Sequence, residues 1–519
     1  MNRSLRILAS AVVFFIVLHR TAQAEITLHS LFSDNAVLQQ GMKVPVWGTA
    51  RDGEKVRVKF QKQTHSTTAK EGRWSVALKP LRAGGPFTLE VAGDNAIMRT
   101  NILVGEVWVC SGQSNMQWPL YNTENGAAAI TNAADPMLRL FTVPHVHADE
   151  PQRDAKAGWV ECVPDIVRAF SAVGYYFGRD LRKARKVPVG LIHSSWGGSP
   201  AETWTPRRFL EADPILKPSV DAHEQAVKDY PAALEQYKQQ EPQLKKKHEE
   251  AVEKAKAEGK QPPKGPRPPG DPGQNPHRPA GLYNAMIAPL QPFAIRGAIW
   301  YQGESNAGRA WQYRALFPTM IRSWRETWGQ GDFPFLFVQL APYGASQPTP
   351  TGDSAWAELR EAQLLTSQKL PKTAMAVITD AGECGDIHPQ RKEPVGGRLT
   401  LAARVVAYGE RLVHSGPTYD SMKITGDRVT LQFRHADRGL VAQGGDLRGF
   451  VIAGEDRKWV PARAEVQGNA VMVWSPDVSK PVAVRYGWAD CPSVTLYNRQ
   501  GLPASPFRTD DFPMITKPK

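Results

Sequence analysis

The chain has 519 residues, with 64 Lys and Arg against 51 Asp and Glu, 42 Pro and only 4 Cys. That length suggests about three domains, and 41% hydrophobic with 22% charged residues excludes wholesale disorder. Four cysteines are too few for a disulfide-built scaffold, and the net charge of +13 poses the question of an anionic partner.

Residues 1–24 read as a signal peptide. Arg3 and Arg6 precede an apolar run from Leu8 to Leu18, and Ala22-Gln23-Ala24 supplies small residues for cleavage before Glu25. The expected destination is the periplasm or the extracellular space, with no membrane anchor left after cleavage. Three of the surplus charges, Arg3, Arg6 and Arg20, would leave with this segment.

From 25 to 100, short alternating runs lie between turn residues: Val44–Gly48, Val56–Phe60, Trp74–Leu78 and Phe87–Val91. This pattern predicts a small amino-terminal β-sandwich. Between 101 and 410 the runs become almost continuously apolar: Val104–Cys110, Val187–His193, Ile295–Tyr301, Phe333–Leu340 and Ala374–Thr379. Such strands suit a parallel sheet covered on both faces, so this region reads as α/β. The first three runs each end in a polar, Gly-containing segment, where ligands of open α/β sheets bind.

An insertion, 208–280, interrupts this region. Asp221–Lys260 holds nine acidic and eight basic residues, which predicts a solvated helix or helical hairpin. In the next twenty residues, eight are Pro, so an extended, mobile connection is expected. Beyond 410 the alternation returns at Arg428–Phe433, Gly449–Ala453, Ala470–Trp474 and Pro481–Tyr486, as for a second β module spanning 411–519.

Three segments carry chemistry. Ser114 in Gly112-Gln113-Ser114-Asn115-Met116 follows a strand, as a nucleophile at a sheet mouth would. Asp386-Ile387-His388-Pro389 offers a base with a nearby carboxylate, anchored by a helix with Val395, Leu399, Ala402 and Val406 on one face. Trp300-Tyr301-Gln302-Gly303-Glu304-Ser305-Asn306 and Ser195-Trp196-Gly197-Gly198 offer side-chain amide and backbone N–H donors for an oxyanion. Cys110, Cys162, Cys384 and Cys491 show no CxxC spacing, so no zinc site is expected. Cys110 reads as a buried free thiol, and the sequence does not pair the cysteines.

These motifs, with Asp34-Asn35-Ala36-Val37-Leu38-Gln39, Gly190–Gly198 and Leu496-Tyr497-Asn498, resemble the sialate O-acetylesterase-like carbohydrate esterases of the SGNH hydrolase superfamily. The resemblance spans most of the chain after residue 24. It implies a flavodoxin-like α/β hydrolase core flanked by two β-sandwich modules, and a serine esterase that removes O-acetyl groups from sugar hydroxyls, first of all from sialic acid. It implies Ser114 as nucleophile, His388 as base and then acid, and an oxyanion hole from the Ser114 N–H, Gly197 or Gly198, and the Gln302 side chain. Gln302→Ala would then lower turnover more than affinity.

Asp386 is the expected partner of His388, although the spacing is Asp-x-His where the wider superfamily has Asp-x-x-His; a Ser-His dyad assisted by another group is the alternative. Glu304 is expected to brace the Gln302 loop, and Asn306, Trp118 and Arg309 are pocket or loop residues. No cofactor or metal is implied. A plant-polysaccharide acetylesterase and a noncatalytic carbohydrate-binding protein remain as other readings. Nucleic acid is not an expected partner, because no DNA- or RNA-binding motif is visible.

Overall fold

The computed structural model describes residues 25–436 and 438–518; the expected signal peptide lies outside the described residues. Among the described residues no helix is long and apolar enough to cross a membrane.

The amino-terminal strands are β1 (Val37–Gln39), β2 (Val44–Thr49), β3 (Lys55–Phe60), β4 (Gln63–Thr68), β5 (Arg73–Leu78), β6 (Gly84–Ala92) and β7 (Ala96–Gly112). β3 and β5 alternate strictly between exposed and buried residues, as expected where one face meets a core. β2 pairs with β5, while β3 pairs with β4 and β6. β4 was not expected: its sequence, Gln-Thr-His-Ser-Thr-Thr, has no apolar residue, and it pairs with β3 alone.

β7 joins the two architectures. Its first residues pair antiparallel with β6, and its last five lie between parallel neighbours. Exposure alternates up to Asn101, and every residue from Ile102 to Gly112 is buried.

The core adds β8 (Asp135–Thr142), β9 (Trp159–Cys162), β10 (Val189–Ser195), β11 (Gly297–Tyr301), β12 (Phe335–Val338), β13 (Ser346–Gln347) and β14 (Thr373–Ala376). The central sheet runs β14-β12-β11-β7-β10-β8-β9, parallel except for β9. Its two faces feed separate cores. Val107, Val109, Ile192, Ala298 and Trp300 pack toward the amino-terminal strands, whereas Trp108, Cys110, Leu191, Ile299 and Tyr301 pack against the helices Ala172–Arg185 and Glu393–Val406. Period-two alternation within strands buried on both sides produces this division.

The charged insertion forms one helix, Lys217–Ala257, instead of a hairpin. Val220 is its one buried residue, and pairs such as Lys217–Asp221 and Glu241–Lys245 lie at helical spacing along it. The Pro-rich connector has no regular structure beyond a short turn at Pro272–Gln274. Its far end is fastened by Arg278, which donates to Asp149 at 2.8 Å.

In the carboxyl-terminal region, two four-stranded antiparallel sheets contribute to one core. Val429, Leu431 and Val471 from one sheet meet Ile452, Val484 and Phe507 from the other, the arrangement of a β-sandwich. This region is stitched to the α/β core. Buried Arg360 donates to the carbonyls of Ala489 and Asp490, β13 pairs with Cys491–Pro492, and a disulfide joins Cys384 to Cys491. Cys110 and Cys162 are buried free thiols, and burial pushes Cys162 up to about 12.

Candidate active site

The site lies at the carboxyl ends of β7, β10 and β11. Gly112 ends β7 with φ +138°, and a Cβ there would meet the Tyr301 carbonyl oxygen at 2.1 Å. Only glycine lets the chain turn this close to β11. A short helix, Ser114–Gln117, follows. Ser114 occupies its first position, where the backbone N–H has no acceptor within the helix.

Ser114 Oγ is 2.8 Å from His388 Nε2. The imidazole stacks on Trp118, with ring centroids 4.7 Å apart and planes 14° from parallel. His388 is held below the usual histidine range by burial first and by the Lys392 charge second, while Asp386 opposes both. The ring therefore remains neutral, and able to accept a proton, to lower pH than a free imidazole.

Asp386 is placed differently from the triad expectation. Its Oδ1 accepts the backbone N–H of His388 at 2.8 Å, so the carboxylate forms a turn that sets the loop. Among the described residues no hydrogen bond joins it to the imidazole.

Of the expected oxyanion groups, Gly197 comes nearest the nucleophile. A Cβ at Gly197 would lie 3.3 Å from Ser114 Cβ, and its N–H donates to Gln117 Oε1 at 2.7 Å. Gly198 is exposed, in the left-handed conformation, beside His277. Gln302 faces away from the cleft. Fully buried, its amide donates to Asn306 Oδ1 at 2.6 Å and to the Ser199 carbonyl at 3.4 Å, and Tyr313 donates to its Oε1. Asn306 completes this brace by donating to Glu202, which also pairs with Arg309. Gln302→Ala should therefore act on stability: it strands Asn306 and Tyr313 and should cost about 1–3 kcal/mol. Thermal unfolding checks this, and a turnover loss with an unchanged melting curve would contradict it.

The cleft in front of Ser114 encloses about 500 Å³ and is lined by Gln117, Trp118, Tyr121, His145, His193 and His388 among others. His193 is buried and driven down to about 3, so it is neutral; its Nε2 lies 2.6 Å from Ser195 Oγ. His145 stacks on Trp196 at 4.5 Å and bonds the Ser195 carbonyl. A partly aromatic pocket lined by no Lys, Arg, Asp or Glu, with a Ser-His pair on one wall, suits acyl transfer from an uncharged ester.

Residues 274–392 match the family model described as carbohydrate esterase, sialic acid-specific acetylesterase. The chain is 31% identical to the sialate O-acetylesterase of Mus musculus over 89% of its own length and 90% of the relative's. For the Homo sapiens enzyme of that name the identity is 28%, over 94% and 93%. A carbohydrate acetylesterase from Xanthomonas citri superposes with a TM-score of 0.79 and 38% identity, covering 94% of this chain and all of that one. The chain belongs to the sialate O-acetylesterase family of carbohydrate esterases. It is a carboxylic ester hydrolase.

Sequence reasoning missed several residues of this esterase site. His145 and Gln117 stand in no recognisable spacing, although Gln117 falls one turn after the nucleophile. Asn115 and Glu304 lie inside the quoted motifs, but their contact is tertiary: Asn115 Nδ2 donates to Glu304 Oε1 at 2.5 Å and to the Ile387 carbonyl at 2.9 Å. Glu304 thus braces the nucleophile's turn as well as its own loop after Gln302, where the Gly303 and Glu304 backbone N–H groups also bond its carboxylate.

Proposed function

We propose that this protein removes O-acetyl groups from sugar hydroxyls, with O-acetylated sialic acid as first substrate, through a Ser114 acyl-enzyme. The observation that carries this reading is the 2.8 Å approach of His388 Nε2 to Ser114 Oγ inside the cleft. Ser114 attacks the acetyl carbonyl while His388 takes its proton. The N–H groups of Ser114 and Gly197 receive the developing oxyanion once Gln117 yields the Gly197 donor. His388 then protonates the departing sugar oxygen, and water, activated by the same imidazole, releases acetate. Trp118 holds the ring from its face, and Asp386 holds its main chain.

One observation favours a second substrate, a neutral acetylated plant polysaccharide: no Lys or Arg is among the residues lining the cleft. Arg168, stacked 5.9 Å over Tyr121 at the cleft, is the guanidinium available to a sialate carboxylate. Acetate release from O-acetylated sialosides, acetylated xylan and acetylated pectin, with Ser114→Ala as blank, separates the readings. Release from the sialosides above the blank supports the first, and release from the neutral or pectic polymers alone overturns it.

We also read residues 1–24 as an export signal. The disulfide between Cys384 and Cys491 supports an oxidising destination. Amino-terminal sequencing of protein recovered from outside the cytoplasm should begin at Glu25, and a chain retaining Met1 there would contradict cleavage.

A further inference from the structure

Behind the Ser114–His388 pair lies a buried polar cluster that ester hydrolysis, as described above, leaves unused. Lys392 is 1% exposed and sits at the amino-terminal cap of the helix Glu393–Val406. Both placements are unfavourable to an ammonium: burial removes its water, and the helix amino terminus carries positive partial charge. Among the described residues its Nζ makes one hydrogen bond, to Asn115 Oδ1, and lies 5.3 Å over the Tyr301 ring. Glu304 Oε2 and the Tyr301 hydroxyl are buried nearby without a partner. A side chain that breaks two local rules at once, beside the reacting pair, marks a functional position.

We propose that Lys392 is a positioning residue for the hydrolysis: it fixes the Asn115 carboxamide, which ties the Ser114 turn to the His388 loop, and it supplies the ammonium field in which the imidazole works. The inference rests on the Ser114–His388 reading. An ammonium has donors and no acceptor, so it selects Asn115 Oδ1 and leaves Nδ2 to face Glu304 and the Ile387 carbonyl. Asn115 directly follows the nucleophile, and Ile387 directly precedes the base. One carboxamide therefore spans both catalytic segments, and Lys392 at its Oδ1, with the Ile387 carbonyl at its Nδ2, fixes which way round it stands.

The charges in this neighbourhood fix the sign of the pH effect. Lys392 faces Glu304, Asp386 and Glu383, which favour its charge, while burial drives it down to about 7. His388 faces Lys392 and Asp386, with uncharged Trp118 on its ring and Ser114 at Nε2. The adjacent Arg391 is directed to Glu124 and the Asp380 carbonyl. In the acid range where His388 titrates, Lys392 is protonated and opposes a second positive charge. Removing the ammonium lets His388 hold its proton to higher pH, so the acid limb of kcat/KM, which follows the free enzyme's base, moves up.

The test uses the whole protein and p-nitrophenyl acetate, with kcat and KM measured from about pH 4.5 to about pH 8.5 and melting temperature recorded. Lys392→Met removes donor and charge. It should raise the acid limb by roughly half a pH unit or more and lower kcat about tenfold or more with little change in KM. Lys392→Gln removes the charge but keeps a donor for Asn115, so it should shift the limb equally and recover part of kcat. If the Met variant does not fold, the limb of the Gln variant decides. A folded variant whose limb stays at the wild-type position overturns the inference. Ser114→Ala separates this from failure of the underlying reading: retained hydrolysis there overturns the nucleophile assignment itself.

Discussion

Ser114→Ala is expected to lower kcat for acetyl-ester hydrolysis by about 10⁴-fold or more, or roughly 5.5 kcal/mol of transition-state stabilisation. The expectation follows from geometry. The hydroxyl is inert unless its proton can leave, and His388 Nε2 waits 2.8 Å away. Burial and Lys392 keep that imidazole unprotonated. His388→Ala should cost a comparable factor, and the double variant little more than either single one, because the two groups act as a unit. A fluorophosphonate probe should label the wild-type protein at Ser114 and leave Ser114→Ala unlabelled. The Gly197 and Ser114 N–H donors survive in these variants, so residual activity above the uncatalysed rate is expected. Ser114→Ala turning over within tenfold of wild type would remove the acyl-enzyme from consideration.

The parallel core was legible because its strands are covered on both faces. Val104–Cys110, Val187–His193 and Ile295–Tyr301 are almost continuously apolar, with Glu106 and Arg296 near their starts and His193 at an end as the charged or polar interruptions, and each is found as a strand within two residues at its far end. β8 was not legible. Its run is broken by Pro136 and by Arg139, which is buried through a 2.5 Å contact with Glu161 on β9. That pair exists only after the two strands meet. β4 was invisible for the opposite reason, since an edge strand paired on one side needs no apolar residue.

Within the site, the sequence pointed to Ser114 and His388 because both sit in segments that follow strands of the sheet. The direction of a side chain within such a segment is another matter. Gln302 and Asn306 occupy the expected loop, yet each turns into the protein because Tyr313 and Glu202 satisfy them there. Asp386 shows a local signal that could have been used. A carboxylate two residues before an N–H has the spacing of an Asx turn, and that is the bond it makes. Lys392 carried no signal at all, because one basic residue beside Arg391 reads as surface charge until its burial is known.

Breaking the disulfide between Cys384 and Cys491 should produce the largest stability change of any covalent edit. The bond closes a segment with a sequence separation of 107 residues, for which loop-closure entropy gives about 4–5 kcal/mol. Arg360 continues to hold the Ala489 and Asp490 carbonyls after reduction, so the carboxyl-terminal sandwich should remain docked in the native state while its unfolding becomes easier. The functional consequence is local, since Cys384 lies four residues before His388 and the Gly344 N–H bonds the Cys384 carbonyl. Loosening that anchor should broaden the positions available to the imidazole and lower kcat by less than loss of His388 itself. Thiol titration of the denatured protein should find two reactive cysteines, Cys110 and Cys162, before reduction and four after it. The double variant Cys384→Ser with Cys491→Ser should melt at markedly lower temperature. Four free thiols in the untreated protein, or an unchanged melting temperature, would mean that the carboxyl-terminal sheets are held to the α/β core by noncovalent contacts such as those of Arg360, the β13 pairing and the Arg508–Glu361 pair, without the disulfide.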